Sequence, residues 1–101
     1  LPISEQMLAA ALAGCFSMSL SNLVAKDGVE AADLTISTRA DAHLVALESG
    51  FAITQIDLRT EGHVAGMSAE RFSELAVVAK ETCPVAKLYS SATITVHAEI
   101  V

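Results

Sequence analysis

A chain of 101 residues fits one small domain, and a reading with several domains is set aside on length. With 52% hydrophobic and only 18% charged residues, it carries more apolar surface than a monomer of this size readily hides, which points to a homo-oligomer. The formal charge of -6, with no cluster of Lys and Arg to meet phosphates, argues against a nucleic-acid partner.

The N-terminus, Leu1-Pro2-Ile3-Ser4-Glu5, has no basic run ahead of an apolar stretch, so it does not read as a secretory signal, and a cytoplasmic location is expected. Residues 6–25 contain no charge, a run long enough to raise a membrane span. Ser17, Ser19, Ser21 and Asn22, together with the many alanines, make its hydrophobicity modest for that role. A helix buried in protein, with no membrane partner, explains the run better. Ser4 is the expected cap of this helix, Glu5 suits its first turn, and Gly28 follows its end near Lys26 as a natural stop.

Alternation then replaces the helical pattern. Leu34, Ile36, Thr38, Ala40, Ala42 and Leu44 share one face of a strand whose other face holds Thr35, Ser37, Arg39, Asp41 and His43. After a Ser49-Gly50 turn, a second strand over residues 51–61 changes phase between Ile53 and Ile56, which predicts a bulge. Residues 62–66 read as a loop. Ser68 caps a second helix to Cys83, with Phe72, Leu75, Ala76, Ala79 and Cys83 on the buried stripe and Glu70, Glu74 and Glu81 turned out. Pro84 disfavours helical geometry at Cys83 and suits the first position of a helix restarting over residues 84–89. A last strand sets Ile94, Val96, Ala98 and Ile100 opposite Thr93, Thr95, His97 and Glu99.

Two cysteines 68 positions apart, neither with a second Cys or His at chelating spacing, do not form a metal motif. Each fits a small buried hydrophobe, a partner in a structural disulfide, or a catalytic thiol. Gly14, in mid-helix beside Cys15, costs on the order of 1 kcal/mol relative to Ala and predicts a close approach to the backbone there. Cys83 lies where the N-terminus of the next helix favours a thiolate. His43 and His97 fall on polar strand faces and His63 in the loop, as surface residues. Tyr89, Phe16, Phe51 and Phe72 read as core, with the lining of an apolar pocket as the alternative.

The segment Ser4-Glu5-Gln6-Met7-Leu8-Ala9-Ala10-Ala11, followed by Gly14-Cys15-Phe16-Ser17-Met18-Ser19-Leu20, resembles the central helix of the OsmC/Ohr family. Thr82-Cys83-Pro84-Val85-Ala86-Lys87 resembles its second cysteine motif, and 50–56 and 61–66 match the family in the expected order. The resemblance covers essentially the whole chain and looks closer to the OsmC branch. It implies an α+β fold, an antiparallel sheet around two cysteine-bearing helices, in an intertwined homodimer. It further implies a peroxidase in oxidative stress defence, without bound cofactor. Cys15 is then the thiol that attacks an organic hydroperoxide, Cys83 the thiol that closes the disulfide, and an external dithiol, such as a lipoyl-bearing protein, the reductant.

Glu5 matches the acid that the family pairs with a catalytic Arg. Ten helical residues place it about 15 Å from Cys15 of its own chain, so the resemblance implies that it serves the site across a dimer interface. The family's Arg belongs to a strand region ahead of this helix. Arg39, Arg59 and Arg71 lie in segments that do not match it, and read as solvated charges. Either the protein continues upstream of Leu1, or the chain is a reduced member with weak activity; the alternative function is a non-enzymatic redox sensor or binding module on the same fold.

Overall fold

The computed structural model describes residues 3–101. Helix α1 (Ile3–Lys26) leads through a short 3-10 turn at Ala31–Asp33 into strands β1 (Leu34–Leu47) and β2 (Gly50–Val64). Helices α2 (Ala69–Thr82) and α3 (Pro84–Leu88) follow, and strand β3 (Thr93–Ile100) completes the sheet. Ser4 does not cap α1. Ile3 is already helical, so the Ser4 hydroxyl lies inside the first turn and donates instead to the Glu5 carboxylate at 2.9 Å.

Leu12, Phe16, Leu20 and Val24 recur at helical spacing and have no exposed surface (0% each). Burying a side chain of this kind stabilises by about 1.5–3 kcal/mol, so the stripe decides how α1 lies. It shares one core with Ile56, Leu58 and Val64 of β2 and with Phe72, Leu75, Ala76 and Ala79 of α2. By length and composition α1 could also cross a bilayer, but this stripe faces protein, while Ile3, Met7, Leu8 and Met18 remain exposed.

Thr60 is the buried polar residue of the core, and it is satisfied. The Ser17 hydroxyl donates to Thr38 at 2.6 Å, the Thr38 and Thr60 hydroxyls lie 3.0 Å apart, and Thr60 donates to the Ser37 carbonyl at 3.3 Å. This relay ties α1 to β1 and β2. At the far end of α1, Arg71 donates two hydrogen bonds to the Asp27 carboxylate, at 2.9 and 2.7 Å, and so holds the start of α2. Ser68 caps α2, accepting from the Arg71 N–H at 3.1 Å.

The sheet has the order β1-β2-β3 and is mixed. β1 and β2 form an antiparallel hairpin across Glu48 and Ser49, with Gly50 at φ +130° where the chain turns. β3 pairs parallel to β2, which corrects the expectation of an antiparallel sheet. The reason is the connection: α2 and α3 carry the chain back along the sheet, so β3 enters from the same end as β2. The predicted bulge is present, with Gln55 opposite His43, Ile53 opposite Leu44, and Thr54 as the extra residue. Beyond it the hairpin runs past the helices as an arm, and Phe51, expected in the core, is 75% exposed.

Residues 62–64 also depart from expectation, because they extend β2 rather than form a loop, and His63 is a strand residue. Gly62 lies under the ring of Phe72. A Cβ built there would stand 2.5 Å from Phe72 Cζ. Gly62→Ala is therefore expected to destabilise by about 1–3 kcal/mol, read as a lower urea midpoint at unchanged m; an unchanged midpoint would refute the close packing.

On the outer face, Asp57 joins all three strands. Its carboxylate accepts from Thr95 at 2.6 Å, Gln55 at 2.7 Å and His43 at 2.6 Å, and these bonds, Thr95 first, lower its pKa from 3.8 to about 2. A lowered carboxylate pKa stabilises the fold above the unfolded value, and the stabilisation is lost as pH falls from about 3.8 towards 2. Asp57→Asn should flatten stability against pH across that window, which acid titration followed by circular dichroism would check.

Candidate active site

Cys15 lies half-buried on the flank of α1 that faces the α2–α3 corner. Cys83 lies at that corner with no exposed surface. Pro84 holds Cys83, the C-cap of α2, in extended geometry (φ -66°, ψ 121°), yet the Cys83 N–H still reaches the Ala79 carbonyl at 2.9 Å and closes the helix. The same residue is the N-cap of α3, with Pro84 in the first turn. Its side chain makes no capping hydrogen bond, but it stands close enough to the backbone N–H groups of Ala86 and Val85 to feel them.

The two sulfurs, 68 residues apart in sequence, lie 3.0 Å from each other as free thiols, with Cys83 donating to Cys15. Burial pushes the Cys83 thiol above its ordinary value, and its hydrogen bond to Cys15 adds to the effect; the Ala86 and Val85 amides act the other way. Cys83 therefore holds its proton near neutral pH, directed at the Cys15 sulfur. Among the described residues, no three His, Cys, Asp or Glu side chains gather closely enough to hold a metal ion.

Glu5 is not brought to this pair. It lines an open groove of about 700 Å³ between α1 and β1, together with Ala9, Ala13, Gly14, Thr38 and Arg39. The close approach expected at Gly14 does not occur within the chain, since a Cβ there meets nothing within 4 Å. Its backbone faces the groove instead. Phe16 and Phe72 are core residues. Tyr89 does more than fill space: its hydroxyl donates to the Leu8 carbonyl of α1 at 3.1 Å. Its phenol pKa is raised by burial and then by the charge that Cys83 carries once ionised. The sequence held one signal for this, since Tyr89 lies six positions after Cys83 on the continuation of α3.

The model of the OsmC-like protein family matches residues 2–99. The chain belongs to the OsmC family. Peroxiredoxin OsmC of Escherichia coli (strain K12) is 39% identical over 84 residues, which cover 83% of this chain and 57% of that protein; Peroxiredoxin OsmC of Shigella flexneri matches to the same extent. The chain thus spans 57% of the length of these curated relatives. The fold agrees with the organic hydroperoxide resistance protein OhrB of Bacillus subtilis, with a TM-score of 0.72, 26% identity, and 96% of this chain and 68% of that one covered. It also agrees with an OsmC-like protein of unknown function from Vibrio cholerae, with a TM-score of 0.77, 21% identity, and coverage of 93% and 62%.

The geometry of this OsmC-family chain separates the thiols by access. Under native conditions at neutral pH, iodoacetamide should label Cys15 about tenfold faster than Cys83, measured by peptide mass spectrometry; equal rates would contradict the burial and raised pKa of Cys83.

Proposed function

We propose that this chain carries the thiol centre of a peroxidase that reduces organic hydroperoxides, and hydrogen peroxide as a smaller substrate, in defence against oxidative stress. The observation that carries the reading is the contact of 3.0 Å between two free thiols on different helices. Cys15, the more accessible, attacks the terminal peroxide oxygen as a thiolate. The O–O bond breaks, the alcohol leaves, and Cys15 becomes a sulfenic acid. Cys83 then attacks that sulfur, the S–O bond breaks, and the Cys83 proton leaves with the oxygen as water. An external dithiol, such as a lipoyl-bearing protein, reduces the resulting disulfide, and no bound cofactor is needed.

The names of the relatives, a peroxiredoxin and an organic hydroperoxide resistance protein, support this chemistry. The chain acts as one unit over residues 1–101, in the reducing cytoplasm, as an intertwined homodimer. The dimer is supported by the exposed Met7, Leu8 and Met18 of α1 and by Leu44, Leu47 and Phe51 on the protruding hairpin arm. A second copy would cover both surfaces, and Glu5 would serve the partner's thiols from the groove wall.

Stopped-flow mixing with an organic hydroperoxide tests the reading. One equivalent of peroxide should convert both thiols to a disulfide far faster than it oxidises free cysteine. Cys15→Ser should abolish the reaction, while Cys83→Ser should leave the first step and stop at a sulfenic acid. A rate equal to that of free cysteine would sink the proposal.

A further inference from the structure

α3 is five residues long, too short to hold its own place, since isolated helices of that length are not stable in water. Its position on α1 therefore depends on side chains. Ala86 is buried in the core and Val85 packs at its edge, whereas Leu88 is 79% exposed and contributes little. Tyr89, which ends the helix, has its N–H bonded to the Val85 carbonyl at 3.0 Å and its hydroxyl to the Leu8 carbonyl of α1 at 3.1 Å. Besides the contact between the two thiols, this hydroxyl is the polar side-chain link between α3 and α1 among the described residues.

Cys83 opens the helix that Tyr89 closes, and Cys15 lies two turns beyond Leu8 on α1. The Leu8–Tyr89 bond and the Cys15–Cys83 contact are thus two ties across one helix–helix seam. A disulfide requires the sulfurs at about 2.05 Å, so they must approach by roughly 1 Å from their present separation. That step is sensitive to how firmly α3 is held.

We propose that Tyr89 is a positioning residue for disulfide closure: its bond to the Leu8 carbonyl keeps α3 seated, so that Cys83 meets the Cys15 sulfenic acid before a second peroxide does. The inference rests on the proposed peroxidase chemistry. Two reactions compete for the sulfenic acid. In one, Cys83 sulfur bonds to Cys15 sulfur and water leaves. In the other, a second hydroperoxide transfers an oxygen to the Cys15 sulfur, is itself reduced to the alcohol, and leaves a sulfinic acid that the dithiol cannot recover. A loosened α3 slows the first reaction and leaves the second untouched.

Tyr89→Phe keeps the ring and removes only the hydroxyl. The wild type and the variant are mixed with graded excesses of an organic hydroperoxide. The rate of first loss of the Cys15 thiol is followed by stopped flow, and the ratio of disulfide to sulfinic acid by intact mass. The expected result is an unchanged first step, closure slowed about fivefold, and sulfinic acid appearing at correspondingly lower peroxide. Arg71→Gln, which breaks the bidentate pair with Asp27 at the other end of α1, serves as a control for lost stability and should leave the ratio alone. An unchanged ratio in Tyr89→Phe, or the same change in Arg71→Gln, would overturn the inference while leaving the peroxidase reading intact. If the wild-type Cys15 fails to react with hydroperoxide, the peroxidase reading fails first.

Discussion

The stripe of Leu12, Phe16, Leu20 and Val24 packs into a core shared with Ile56, Leu58 and Phe72, and the rotation of α1 about its own axis follows from that packing. Once those residues face inward, Cys15 must stand on the flank towards the α2–α3 corner and Ser17 on the flank towards β1. The relay from Ser17 through Thr38 to Thr60 reinforces the same orientation with hydrogen bonds that a different rotation would leave unmade. An unpaired buried hydroxyl costs about 1–3 kcal/mol, so the relay acts against alternatives more than it adds to the chosen state.

The corner at Cys83 is set by a different kind of constraint, a backbone one. Pro84 withdraws the residue before it from helical geometry, and this breaks what would otherwise be a continuous helix through residues 69–88. The break gives Cys83 two roles at once. Its N–H ends one helix, and its C=O accepts from the Lys87 N–H in the first turn of the next. A cysteine in mid-helix would have had neither this position against α1 nor a place at the start of a new helix.

Much of this was legible in the residues. Local signals with one physical cause survived intact: the Ser68 cap, the proline corner, the inward stripe of α2 and the phase change that marks the bulge at Thr54. Signals that depend on distant partners did not. The parallel pairing of β3 depends on where two helices return the chain, and alternation in Ile94, Val96, Ala98 and Ile100 looks the same for either direction. Gly62 reads as a loop residue until Phe72 is known to lie over it. The contact between the thiols likewise depends on tertiary packing, and it was the resemblance to the OsmC/Ohr family, not their spacing, that paired Cys15 with Cys83.

The mixed sheet also orders events in time. The β1–β2 hairpin closes over two residues and is a local structure that can form on the microsecond scale. β3, the last strand, can join β2 in parallel only after the chain has passed through both α2 and α3, and non-local pairings of this sort are slow. That final strand packs against α2, the helix whose end carries Cys83. The helix that brings Cys83 to Cys15 consequently gains its support from β3 only in the last stage of folding.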